Sequence, residues 1–157
     1  MAELVDKFME LFRGLERAYG TFEITNSRER DGKKTGKVRS IHKPVTRDIW
    51  LQHLNGTQAI GIVPIRDDST VHFGAIDIDI YDNMDHAALA KKIDDLRMPL
   101  VPCKSKSGGL HGWVFLSEAT PAGLVQRKLR EMAAALGYGK AEIFPKQSEV
   151  LPDRGDI

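Results

Sequence analysis

Apolar residues recur every three or four positions at the start of the chain. Leu4, Phe8, Leu11, Phe12 and Leu15 would share one face of an amphipathic helix over 3–18, ended by Gly20. Thr21 to Ile24 predicts a short strand, and Val38 to Ile41 another. Thr46 is placed to cap a helix running to Leu54, where Asn55-Gly56 stops it. Gln58 to Ile65 reads as a buried strand and Thr70 to Tyr81 as the next, joined by Arg66-Asp-Asp-Ser69 into a hairpin. Asp85 heads a helix carrying Leu89, Ile93 and Leu96. Strands are then predicted from Pro99 to Cys103 and from Leu110 to Leu116. Thr120-Pro121 opens a helix whose inner face is Val125, Leu129, Met132, Ala133 and Leu136, with Gly137 at its end. Ala141 to Phe144 is a last short strand.

The second half thus runs strand, helix, strand, strand, helix, strand. That order predicts an α+β fold, an RRM-like antiparallel sheet with helices on one face. Residues 1–66 would form a smaller N-terminal α/β unit leaning on an RRM-like unit over 67–157, the two making a single domain. After Phe144 the sequence Pro-Lys-Gln-Ser-Glu-Val-Leu-Pro-Asp-Arg-Gly-Asp-Ile offers no helix or long strand to close the sheet. A chain cut short at its C-terminus is the expectation.

Composition narrows the function classes. A chain of 157 residues can bury a real core. No run approaches the roughly 20 apolar residues of a membrane span, so no membrane role is expected. The N-terminus has neither the basic nor the apolar region of a secretory signal, and a cytoplasmic location fits. The single cysteine, Cys103, excludes an internal disulfide and a multi-thiolate zinc site, and reads as a small buried hydrophobe. His42, His53, His72 and His86 lack metal-ligand spacing and read as surface or structural residues. Net charge is only +1, but Arg28, Arg30, Lys33, Lys34, Lys37, Arg39, Lys43 and Arg47 crowd one stretch against Glu29 and Asp31. That excess could track a phosphate backbone or simply solubilise a glycine-containing loop.

The candidate chemistry centres on Asp77 and Asp79, inside the strand-like run Phe73-Gly-Ala-Ile-Asp-Ile-Asp-Ile-Tyr81. Alternation puts both aspartates on one face, with carboxylates roughly 6–7 Å apart. At an effective dielectric near 20 their repulsion is about 2–3 kcal/mol, and aspartate is a poor strand former. A cation between them would offset both costs, and oxygen-only ligands favour Mg²⁺ or Mn²⁺. The plainer alternative is the solvent-facing side of an amphipathic strand. A second constellation is Lys104-Ser-Lys-Ser-Gly-Gly-Leu-His111. The backbone amides of such a turn, with Ser105, Ser107, Lys104, Lys106 and His111, could grip a triphosphate; a polar hairpin with a stray histidine remains open. A third is Glu142-Ile-Phe-Pro-Lys-Gln147, where Glu142 could be a third carboxylate or an exposed edge residue.

In this order the three pieces resemble the archaeo-eukaryotic primase superfamily. Its hydrophobic Asp-x-Asp strand is matched by Ile76-Asp-Ile-Asp-Ile80. Its Ser/Gly-rich turn ending in histidine is matched by Ser107-Gly-Gly-Leu-His111, and its third acid by Glu142. The closer likeness is to primase-polymerase domains of phages and TOTE conflict systems. It rests on Leu11-Phe-Arg-Gly14, His53-Leu-Asn-Gly56, Gly61-Ile-Val-Pro64, Ser105-Lys-Ser-Gly-Gly109 and Glu142-Ile-Phe-Pro-Lys-Gln147. The third acid is aspartate in many superfamily members and glutamate here. The resemblance implies a template-dependent DNA primase-polymerase that transfers nucleotides from (d)NTPs to a 3′-hydroxyl, with a two-metal Mg²⁺ or Mn²⁺ site. It implies Asp77, Asp79 and Glu142 as catalytic metal ligands. Ser105, Lys106, Ser107, Gly108 and His111 would bind the triphosphate, with Lys146 touching nucleotide or template. Arg39, Lys43 and Lys104 would contact nucleic acid. The partners would be single-stranded DNA template and primer, with a helicase or accessory domain on a full-length protein. Two alternatives stay open: an end-joining repair polymerase of the same superfamily, and a non-catalytic RRM-like nucleic-acid-binding module. The module would need exposed aromatics on its central strands, where the chain offers acids.

Overall fold

Among the described residues, seven strands and four helices arise where these patterns place them, with instructive differences at the edges. The computed structural model describes residues 2–24, 36–80, 84–105 and 108–150. Arg28, Arg30, Lys33 and Lys34 of the basic stretch lie outside the described residues, as do Lys106 and Ser107 of the turn and the terminal residues 151–157.

Helix α1 spans Ala2–Leu11 and stops well short of residue 18. Its inward line is the buried Val5 and the half-buried Phe8, continued past its end by the half-buried Phe12, whereas Leu4 and Leu11 are exposed. The helix ends because the next residues are used elsewhere. Leu15 N donates to Val63 O at 2.9 Å. At Gly14 an added Cβ would lie 2.1 Å from Val63 O and 2.7 Å from Ile62 Cγ2. Only glycine allows that approach, so Gly14→Ala is expected to cost about 1–3 kcal/mol, visible as a lowered unfolding midpoint. An unchanged midpoint would show that the two segments separate freely.

Gly20 does not end a helix; it lies within strand β1, Tyr19–Ile24. β1 pairs antiparallel with β2, Gly36–Ile41, and on its other edge with the two-residue β3, Gly61–Ile62, giving the order β2-β1-β3. Between β2 and β3 runs helix α2, Arg47–Leu54, capped by Thr46 Oγ1, which accepts from Ile49 N at 3.4 Å. The expected hairpin of residues 58–65 with residues 70–81 does not form. Val63 O is taken by Leu15, and Pro64 has no N–H to offer a ladder. The following strand β4, Thr70–Ile78, has both edges occupied by other strands. Only the connecting turn survives, closed by Arg66 N to Thr70 O and Ser69 N to Arg66 O, each 2.9 Å.

β4 is central in a second sheet, ordered β5-β6-β4-β7 and antiparallel throughout. Its partners are β5 (Val101–Lys104), β6 (Leu110–Pro121) and β7 (Glu142–Phe144). Helix α3, His86–Asp95, connects β4 to β5, and helix α4, Ala122–Leu136, connects β6 to β7. The split arrangement of an RRM-like sheet follows from this order. Asp85 Oδ1 caps α3 through Ala88 N at 2.9 Å, and Gly137 ends α4 at φ +94°. Of the predicted inner face of α3, Leu89 and Ile93 are buried, but Leu96 sits at the C-cap and is exposed.

One face of this sheet meets the helices through Ile76, Ile78, Leu110, Val114 and Ile143, packed with Leu89, Ile93, Val125, Leu129, Ala133 and Leu136. Register breaks once along β4–β6. Between the Val71–Thr120 and Phe73–Phe115 pairs, β4 has the single residue His72 and β6 has Leu116 to Ala119. The other face turns toward α1 and α2. There Phe12 lies edge-on to Phe73, Trp113 and Phe115, with centroids 5.2, 5.2 and 5.3 Å away, and 6.2 Å from Trp50. This aromatic cluster joins the N-terminal elements to the four-stranded sheet.

Candidate functional site

Antiparallel register fixes the site before any side chain is considered. Residues directly opposite one another share a face and sit about 4.5–5.5 Å apart. Cys103 faces His111, His111 faces Asp77, and Asp77 faces Glu142. A single row therefore crosses all four strands: Cys103, His111, Asp77, Glu142. The next row, Val101, Trp113, Ala75 and Phe144, borders it. Three short motifs far apart in sequence become immediate neighbours.

β4 ends at Ile78, so Asp79 lies just beyond the strand and is exposed. Asp77, Asp79 and Glu142 nevertheless line one open pocket of about 710 Å³, together with residues 137–141. His111 Nε2 is 3.3 Å from Asp77 Oδ1. That contact falls short of a hydrogen bond, and Asp77 Oδ1 is buried with no hydrogen-bond partner among the described residues. Burial pushes the Asp77 carboxyl above its usual range. His111 opposes that shift, Asp79 and Glu142 reinforce it, and Lys146 opposes it. Glu142 Oε1 accepts from Lys146 Nζ at 2.7 Å, and the same ammonium lies 5.1 Å from the Phe144 ring centroid. Lys146 is held in place from behind. The buried Gln126 of α4 donates through Nε2 to the carbonyls of Pro145 at 3.2 Å and Lys146 at 2.7 Å.

Among the described residues no three His, Cys, Asp or Glu side chains converge as a ready-made metal cage. Glu142 spends an oxygen on Lys146 instead. The donor chemistry still fits a hard divalent cation: three carboxylates around one pocket, one of them with a buried oxygen that no described residue hydrogen-bonds.

The turn between β5 and β6 is closed by Ser105 N to Gly109 O at 2.9 Å and Gly108 N to Ser105 O at 3.1 Å, with Gly108 at φ +97°. Gly109 packs on the end of β4, where an added Cβ would fall 2.3 Å from Ile78 O. His86 Nε2 lies 3.2 Å from Gly109 O and ties the turn to the start of α3. The sequence reads His86 as a surface or structural residue, and its partner is not legible there because nothing local links it to a turn 23 residues away. Ser105 Oγ is buried without a hydrogen-bond partner among the described residues. Lys104 is paired with Leu110, whose side chain faces the helices, so register sets Lys104 on the opposite face from Asp77. Arg39 is bound to Glu23 at 3.1 Å on the β1–β2 surface, and Lys43 is exposed beyond β2. Neither is brought to the Asp77 row.

Two expectations need correction. Cys103 is exposed, because β5 is an edge strand and its row faces away from the helices. The central strands also carry more than acids on that face: Phe73, Trp113 and Phe115 share it with Asp77, and Phe12 packs over them. Beside them opens a second pocket of about 510 Å³. Asp77 and His111 form its polar side, and Phe12, Trp50, Phe73 and Trp113 its apolar wall.

Among the described residues no helix is long and apolar enough to cross a membrane. A family model described as the archaeo-eukaryotic primase domain of TOTE conflict systems matches residues 18–152. No curated protein matches the chain.

Proposed function

The chain belongs to the archaeo-eukaryotic primase family of TOTE conflict systems, and from that membership we propose that it is a template-dependent primase-polymerase adding nucleotides to a 3′-hydroxyl. The observation that carries this reading is the cross-strand row His111–Asp77–Glu142, with Asp79 beside it and the buried oxygen of Asp77 unsatisfied. Asp77, Asp79 and Glu142 would hold Mg²⁺ or Mn²⁺, which when bound supplies charge neutralisation at the transferring phosphate and activation of the attacking hydroxyl.

The protein's own groups position the substrate. His111 stands one strand over from Asp77 and can donate to a phosphate oxygen. Gly109 lets the turn lie flat against β4, and Ser105 Oγ is a donor with no competing partner among the described residues. Lys146, tethered by Gln126, is placed to exchange Glu142 for a phosphate. The aromatic-walled pocket next to Asp77 and His111 suits the flat face of a nucleobase and excludes water from the reacting end.

The test is a primer-synthesis assay on single-stranded DNA, with and without a supplied primer, in the presence of Mg²⁺ or Mn²⁺. The expected result is cation-dependent incorporation by the wild-type chain and none by the Asp77→Ala, Asp79→Ala double variant, which should remain folded. Extension without initiation would favour the repair-polymerase alternative. Cation-independent strand binding with no incorporation would favour the binding module.

A further inference from the structure

Two guanidinium groups converge on one imidazole at the far end of β4. Arg13 Nη2 lies 3.2 Å from His72 Nδ1, and Arg66 Nη1 lies 3.1 Å from His72 Nε2. A neutral imidazole has one lone pair and one N–H. It can accept from one arginine, so the other guanidinium meets a donor. The positive charge is only partly offset: among the described residues neither Arg13 nor Arg66 forms an ion pair with a carboxylate, Asp68 acts on Arg66 and His72 from a distance, and the other acids at the rim are Glu16 and Asp67. Asp67 is bound to Arg17 at 2.8 Å, and Asp68 accepts from Thr70 N and Oγ1. Burial, followed by Arg13 and then Arg66, pushes His72 below its ordinary value, and Asp68 opposes that shift.

Each member is held by backbone, not left to swing on a loop. Arg13 precedes the Gly14–Leu15 segment pinned to Val63, Arg66 opens the closed turn before β4, and His72 sits at the register break opposite Leu116 to Ala119. They border a pocket of about 560 Å³ that also reaches Gly14, Glu16 and Pro44. An acceptor-only group with several oxygens would satisfy both guanidiniums and the imidazole N–H together.

We propose that Arg13, Arg66 and His72 form an anion site that holds one phosphate group of a nucleic-acid strand, remote from the Asp77 centre. Five residues of strand separate His72 from Asp77, roughly 16 Å. The phosphate held here is therefore not the one undergoing reaction. The choice of nucleic acid as its carrier rests on the primase-polymerase reading; the anion site itself rests on geometry alone.

The experiment uses the full chain, ¹⁵N-labelled, titrated with inorganic phosphate and with single-stranded oligonucleotides bearing either a 5′-hydroxyl or a 5′-phosphate. His72 ring signals, assigned with His72→Gln, should move with phosphate, and the titration midpoint of His72 should rise. Arg13→Gln with Arg66→Gln should weaken oligonucleotide binding about tenfold and make its salt dependence shallower by about 0.7 in the logarithmic slope. Equal weakening for both oligonucleotides identifies a backbone phosphodiester, and weakening confined to the 5′-phosphorylated one identifies a terminal phosphate. His72 signals that stay fixed in all three wild-type titrations overturn the proposal, whatever the variants do. Nucleotide incorporation is not the readout, so this site and the Asp77 reading fail separately.

Discussion

Asp77→Asn is expected to lower nucleotide addition by about 10²–10³-fold or more while making the free protein more stable. The two effects share one cause. Asp77 is the middle of the row, flanked by His111 and Glu142, and its Oδ1 is buried without a hydrogen bond. Burial raises its pKa from the ordinary 3.8. Such a carboxylate is useful to an incoming cation and a burden to the fold without one. Removing the charge while keeping the shape should relieve on the order of 1 kcal/mol, an increase of about 2–4 °C in midpoint for a domain of this size.

The pH dependence follows from the direction of that shift. The folded state holds the Asp77 proton more tightly than the unfolded chain does. Its stabilising contribution is therefore complete below pH 3.8 and is lost as pH rises through the elevated folded value. The stability advantage of the Asn variant over wild type should accordingly widen from pH 4 toward pH 7. Thermal unfolding of both proteins across that range checks it. A gap that narrows with pH would mean that Asp77 is stabilised as its anion, contrary to its surroundings.

Phe12→Ala is expected to destabilise the fold by about 3 kcal/mol or roughly 6–12 °C in midpoint. Phe12 touches five rings on four different elements: Phe8, Trp50, Phe73, Trp113 and Phe115. Trp50 and Trp113 are the only tryptophans of the chain, so intrinsic fluorescence should shift to the red as the cluster opens. Phe12 also walls the pocket beside Asp77 and His111. Affinity for nucleotide should fall further than the loss of stability alone accounts for. Unchanged fluorescence and affinity would show that the cluster does not order this pocket.

The parts legible in the sequence were those set by local chemistry. Thr46 and Asp85 cap helices as their positions demand, and Gly137 ends α4. Alternation along 73–78 set the faces of β4, so Asp77 could be placed opposite Ile76 and Ile78. The row itself was only partly legible. That His111 and Glu142 would flank Asp77 depends on strand order, which here followed from the helix-and-strand succession. What failed depended on non-local partners. The period of residues 4–15 continues past Leu11, but Val63 claims the backbone of Leu15. Residues 58–65 look like a hairpin arm, yet β1 takes Gly61–Ile62 because β4 has no free edge. Cys103 looked buried by type and is exposed by being on an edge strand. Arg13, Arg66 and His72 carry no shared spacing at all; a helix exit, a turn and a register break bring them together.

The register break has a practical consequence. Below it, six consecutive pairs from Phe73–Phe115 to Ile78–Leu110 lock β6 to β4, and above it Thr70 and Val71 lock the strands again. The excursion Leu116 to Ala119 lies between two fixed points, and Ser117, Glu118 and Ala119 are exposed. Its length is not dictated by either ladder. A short peptide tag or a reporter spliced into this excursion would ride on the molecule without shifting a single pair in the Asp77 row.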